Sequence, residues 1–227
     1  MKTFDVETLL EELQLIHDDL RGKTENFKKT STIDCLRGCG QCCLSNQVEA
    51  FPGEWLPLAI DMALGKNHFF GSFEDLLEQA TTQATSACVM YRPNPHDPAK
   101  GYCSAYQYRP LFCRLFGFAS TRTKHGQRAL ITCRKIKEHH ADVFAKDLDL
   151  SPETVPSITE YQQRVESLLA THPTLGQFVP INQALAIALE YVGLRQFYGS
   201  ELPTRAQTLN KNREASVAAD PQLPDGR

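Results

Sequence analysis

The chain has 227 residues, 41% hydrophobic and 22% charged, which is enough to bury a core without covalent staples. With 24 Lys and Arg against 27 Asp and Glu the net charge is −3, so the chain as a whole carries no nucleic-acid footprint. No apolar run approaches the roughly 20 residues of a membrane span. The opening MKTFDVETLL places acids where a secretory signal needs an apolar stretch, so the expected location is cytoplasmic, with no membrane partner.

Val6, Leu9, Leu10, Leu13, Ile16 and Leu20 recur at helical spacing, with Glu7, Glu11, Glu12, Asp18 and Asp19 off that stripe. They predict a first helix that Gly22 ends, followed by a polar linker over 23–32. After a cysteine cluster, 47–51 reads as a short extended segment. Pro52-Gly53-Glu54 opens a helix to about residue 64, with Trp55 as its core anchor. Ser72 and Asp75 resemble a capping box for a helix that turns Phe73, Leu76, Leu77, Ala80 and Ala84 inward. The three prolines of 92–98 predict irregular structure, and 102–120 shows only short runs. A turn at 124–127 precedes a short strand at 128–132. Helical spacing returns around 133–146, 158–170 and 181–198. The expected fold class is mostly α, with helices packed around an irregular cysteine-rich metal-binding centre and a few short strands. The expected organisation is an N-terminal helix and linker (1–33), a cysteine-cluster domain (34–150), a C-terminal helical segment (151–199) and a disordered tail (200–227).

Four of the eight cysteines fall within nine residues, at Cys35, Cys39, Cys42 and Cys43. The others are Cys88, Cys103, Cys113 and Cys133. A structural cysteine behaves as a small hydrophobe and has no reason to cluster. Disulfides are disfavoured by a reducing compartment and by the adjacent pair Cys42-Cys43, whose Cα atoms lie about 3.8 Å apart, closer than an unstrained bridge allows. Clustered thiolates at short spacing suit a soft metal. Cys39-x-x-Cys42 lets the chain turn around one ion, with Gly40 permitting the turn. A dense first group with dispersed later ligands, and only one CxxC, favours an iron–sulfur cluster (a [4Fe-4S] cluster) over Zn2+. The spacing from Cys35 to Cys42 also matches radical S-adenosylmethionine enzymes. Gln41 in place of their usual aromatic, and the lack of following strand–helix units, count against that class.

Residues 98–137 contain no Asp or Glu and nine basic residues: Lys100, Arg109, Arg114, Arg122, Lys124, Arg128, Arg134, Lys135 and Lys137. Cations beside assembled thiolates lower their pKa and stabilise the site. This role is expected of Arg109 and Arg114, which flank Cys113, and the rest read as a solvated face. Tyr102, Tyr106, Tyr108, Phe112, Phe116 and Phe118 read first as local core. His139 and His140 follow Cys133 closely, and adjacent histidines on a helix point apart, so at most one would serve as a nitrogen ligand. No Ser/His/Asp set or phosphate-binding loop is visible.

Cys39-Gly40-Gln41-Cys42-Cys43, followed by Cys103-x-x-Tyr106-x-x-Arg109-Pro110-x-x-Cys113-Arg114, resembles the YkgJ-type cysteine-cluster family of zinc- or iron-chelating domains, named for a CxxCxxCC motif. The resemblance covers about 34–133. It implies Cys35, Cys39, Cys42, Cys43, Cys88, Cys103 and Cys113 as cluster positions, with Arg109, Pro110 and Arg114 as motif partners. Three residues separate Cys35 from Cys39 where the motif has two, and Phe118 stands where many relatives carry a further cysteine that Cys133 would replace. A relative, the flagellin lysine methylase, is associated with an iron–sulfur cluster and methyl transfer. That adds weight to iron, but its reaction does not carry over by analogy. The expected function is therefore chelation of an iron–sulfur cluster, or of zinc, for a structural, delivery or electron-transfer role. The alternatives are a cluster-dependent group-transfer enzyme, or a metal- or redox-sensing nucleic-acid binder. Nucleic acid is not the expected partner, and no protein partner is indicated.

Overall fold

The computed structural model describes residues 6–36, 38–66, 70–146, 148–199 and 202. The expected tail, 200–227, lies outside the described residues apart from Leu202. The architecture is mainly helical, with a few short strands, as expected.

Helix α1 (Val6–Ser31) buries the stripe Val6, Leu9, Leu10, Leu13, Ile16 and Leu20. It does not stop at Gly22. The helix runs through the segment expected as a linker because Phe27 is itself buried, in a second small core with Ile33, Phe118, Ile136 and Val155. Burying a Phe contributes about 2 kcal/mol, more than the roughly 1 kcal/mol that a mid-helix glycine costs. The helix ends where Ser31 Oγ donates to the Phe27 carbonyl at 2.7 Å and Thr32 takes a left-handed φ of 61°.

Strand β1 (Glu49–Ala50) pairs antiparallel with β6 (Val179–Pro180). Pro52–Trp55 forms a tight 3-10 turn into α2 (Leu56–Ala63), so the expected single helix begins as two unlike pieces. Helix α3 (Phe73–Thr82) opens with the expected reciprocal cap: Ser72 N donates to Asp75 at 3.1 Å and Asp75 N to Ser72 Oγ at 3.0 Å. It ends before Ala84. Helix α8 (Ile181–Phe197) packs across α2 and α3, while α7 (Ile158–Leu169) packs on α1. The α1–α7 seam carries a polar tie, in which Asp19 accepts from Tyr161 Oη at 2.8 Å and pairs with Arg164.

The stretch 92–98 is not irregular. Strands β2 (Tyr91–Asn94) and β3 (Asp97–Cys103) form an antiparallel hairpin, with a register shift between Pro93 and Asn94. A two-stranded ribbon has a free side on each strand, where a proline costs no ladder bond. Pro95 sits in the connecting turn, closed by His96 N donating to Asn94 Oδ1 at 2.8 Å. A second hairpin joins β4 (Ala119–Arg122) to β5 (Arg128–Ile131), the latter as expected. The helical spacing around 133–146 resolves into two short helices, α5 (Arg134–His139) and α6 (Ala141–Phe144).

Two carboxylates buried in the 3-10 turn and α2 hold the segment between the hairpins. Glu54 accepts from Leu111 N at 2.6 Å and from Phe51 N at 3.3 Å, with His17 Nε2 of α1 at 3.3 Å. Asp61 accepts from Tyr108 Oη at 2.7 Å. Helix α4 (Leu111–Leu115), which carries Cys113, is thereby pinned at its first residue. Burial pushes the Glu54 pKa up from 4.5 to about 7, against the two N–H bonds and the charge of Arg114. Asn182 of α8 does the same for the loop ahead of β2. It is 1% exposed, accepts from Val89 N at 3.0 Å, and donates to the carbonyls of Gln83 at 2.7 Å and Ala87 at 3.0 Å.

Asn182→Ala should lower stability by about 3 kcal/mol, because it strands buried backbone groups on both sides of Cys88; an unchanged urea midpoint would show that the loop is held otherwise. Glu54 holds its proton more tightly folded than unfolded between pH 4.5 and about 7. Its contribution is complete below the lower value and lost as pH rises through the upper one. Relative to Glu54→Gln, metal-free wild type should lose on the order of 3 kcal/mol between about pH 4 and pH 8. Parallel stability curves for the two proteins would contradict this.

Candidate metal centre

The cysteines arrive from four pieces of chain. The first piece is the loop carrying Cys35, Cys39, Cys42 and Cys43. Cys39 N donates to Leu36 O at 3.1 Å and Cys43 N to Gly40 O at 3.0 Å, winding the loop into a 3-10 turn at Gln41–Leu44. Gly40 has a φ of 58°, and a Cβ there would lie 2.7 Å from the Tyr91 ring and 2.8 Å from the backbone of Gly101. Only glycine permits both that turn and that approach. Gly101 N in turn donates to Gly38 O at 2.9 Å, so the first cluster docks directly on the β2–β3 hairpin.

The hairpin supplies the second piece. Tyr91 pairs with Cys103 in register, Tyr91 N donates to Cys88 O at 2.9 Å, and Cys88 N donates to Cys43 O at 2.9 Å. Three cysteines far apart in sequence are thereby tied through backbone. Cys113 follows on α4, and Cys133 caps α5, where its Sγ accepts from Ile136 N at 3.4 Å. All eight are free thiols. Cys42 is exposed, Cys88 is buried, and the rest lie between.

Cys42, Cys43 and Cys103 titrate together. The Cys43 side chain hydrogen-bonds to the sulfurs of both Cys103 and Cys42, which with burial raises its own pKa. The same bond lowers Cys42 to about 6, helped by Arg109 and opposed by burial. Cys103 is lowered by Cys43 and Arg109 against burial. Burial pushes Cys35 up to about 11, with Cys39, Cys42 and Cys133 adding repulsion. Burial raises Cys88 to about 12, with Cys103 adding repulsion. Burial likewise holds Cys113 well above the usual thiol range, with Cys88 and Cys103 adding to the effect. Every sulfur in the network therefore lies near others, and full ionisation needs more positive charge than the arginines supply.

Arg109 and Arg114 do different jobs. The Arg109 guanidinium stacks on the Tyr106 ring at 3.4 Å and faces Cys42, Cys103 and Cys113. Arg114 donates to the carbonyls of Arg109 at 2.6 Å and Gln107 at 2.7 Å, so it braces the turn that presents Arg109. Elsewhere in the basic stretch, Lys100 pairs with Asp97 at 3.0 Å and Arg134 with Glu138 at 3.2 Å. His140 Nε2 lies 3.0 Å from Asp34 O and 3.2 Å from Asp34 N, packed edge-on against His139.

Glu54, Asp61, His17, Asn182 and Tyr91 support the site without being singled out from the sequence. Glu54 and Asp61 did leave a signal: they are the only charges in the apolar stretch 50–64. An isolated charge in such a stretch, when buried, must be paired.

The donor set suits a thiophilic metal: sulfur only, from chain segments tied together through backbone, with a cation alongside. Loading it would displace the protons of the raised thiols. Among the described residues, no three Cys, His, Asp or Glu side chains already stand around a single point at ion-binding distance. No described helix is long and apolar enough to cross a membrane. No curated protein and no solved structure matches the chain. Residues 34–140, which hold all eight cysteines, match the CxxCxxCC family model, described as a "putative zinc- or iron-chelating domain". The match spans a little under half of the chain, from just ahead of the first cysteine to just beyond the last.

Proposed function

We propose that the protein is a cytoplasmic metal carrier or electron-transfer protein whose cysteines hold an iron–sulfur cluster in preference to zinc. The observation that carries this reading is the sulfur assembly itself: free thiols at Cys42, Cys43, Cys88, Cys103 and Cys113 within reach of one another, Arg109 beside three of them, and Cys42 at the surface. A single tetrahedral zinc with bonds of ~2.3 Å needs its four sulfurs about 3.8 Å apart on every edge. A cluster takes one cysteine per iron and so accepts a wider set. The exposed Cys42 edge supports delivery or electron transfer over a closed structural role, since either needs access from outside. The Arg109 guanidinium offsets the negative charge that thiolate ligation would leave on a cluster.

Protein purified without oxygen should be brown, with iron and acid-labile sulfide in equal amounts, and Cys42→Ser should lower both. Colourless protein carrying zinc and no sulfide would replace the cluster with a zinc site.

A further inference from the structure

We propose that the eight cysteines form two centres of four, an inner one on Cys43, Cys88, Cys103 and Cys113 and an outer, exchangeable one on Cys35, Cys39, Cys42 and Cys133. This rests on the reading of the cysteines as metal ligands and concerns how they divide.

The first ground is packing. Cys88 belongs to the main hydrophobic core, and Cys43, Cys103 and Cys113 pack against it. Cys35 and Cys133 pack instead against the separate small core of Phe27, Ile33, Phe118, Ile136 and Val155. Cys39 and Cys42 belong to neither and lie on the loop between. The two groups of sulfur thus rest on different cores.

The second ground is the neighbourhood of each sulfur. Cys35 has Cys39, Cys42 and Cys133 as its sulfur neighbours, the three that complete the outer set. Cys113 is influenced first by Cys88 and then by Cys103, and Cys103 is hydrogen-bonded to Cys43. Cys42 reaches both sets: it acts on Cys35, and also on Cys88, Cys103 and Cys113 beside its bond to Cys43, so it marks the seam. Four sulfurs per set is the number that a tetrahedral zinc or a [4Fe-4S] cluster requires.

The two sets are also braced independently. The inner one is fixed by Cys88 N donating to Cys43 O, and by Glu54 and Asn182 holding α4 and the Cys88 loop. The outer one hangs on Asp34, which accepts from Cys35 N at 2.7 Å, pairs with Lys28 of α1 at 2.8 Å and meets His140 through its backbone. Cys42 is exposed while Cys88 is buried, so a chelator or an acceptor protein reaches the outer set first.

The test is metal and sulfide content per chain, with the time course of metal removal by EDTA, on anaerobically purified full-length protein. The proteins compared are wild type, Cys133→Ser, Cys35→Ser and Cys113→Ser. Wild type should lose its metal in a fast and a slow phase of equal size. Cys133→Ser and Cys35→Ser should each retain half the wild-type content and lose only the fast phase; Cys113→Ser should retain the fast phase. Full retention in both outer variants, or complete loss in either with unchanged circular dichroism, would overturn the division and leave metal binding itself standing. The outer variants decide even where Cys113→Ser fails to fold. Wild type devoid of metal would instead overturn the metal reading and this division together.

Discussion

Anionic sulfur in a confined space is the constraint on which this structure turns. Thiolates brought together in a medium of low dielectric repel one another, and burial opposes ionising any of them. The chain meets this with a shared proton at Cys43, the Arg109 guanidinium, and thiols at Cys35, Cys88 and Cys113 that stay protonated until a metal displaces the proton. Metal binding completes an electrostatic arrangement that the polypeptide leaves short of positive charge. Affinity must therefore rise with pH as those thiols become easier to ionise.

The scaffold positions sulfur by fastening backbone to backbone. Cys43, Cys88 and Cys103 are linked through main-chain bonds, and Gly40 against Gly101 lets two loops approach closer than any side chain would permit. Behind them, Glu54, Asp61 and Asn182 are buried polar groups that hold loops from the helical side. Such groups are costly to bury unless every partner is in place, which ties the order of the loops to the integrity of the α2–α3–α8 layer. The coupling runs both ways: a variant that loosens that layer should disturb the site without touching a cysteine.

Local chemistry could be read from the residues, and long-range packing could not. The Ser72–Asp75 cap, the α1 stripe, the 128–131 strand and the sulfur cluster itself are short-range patterns, and each stands where the pattern put it. Gly22 misled because its helix is decided by Phe27 and a core completed by the sequence-distant Phe118, Ile136 and Val155. The prolines at 93 and 98 misled because what they forbid depends on whether a strand has one neighbour or two. Arg109 and Arg114 look alike in the sequence, yet one faces sulfur and the other faces carbonyls, a distinction set by the turn at 106–110.

X-ray absorption at the iron and zinc edges of the anaerobically purified protein tests the central claim most directly. The account predicts a first coordination shell made of sulfur alone, with short iron–iron distances beyond it, as a thiolate-held cluster requires. A shell containing nitrogen or oxygen would draw His140 or Asp34 into the site and contradict the thiolate-only centre.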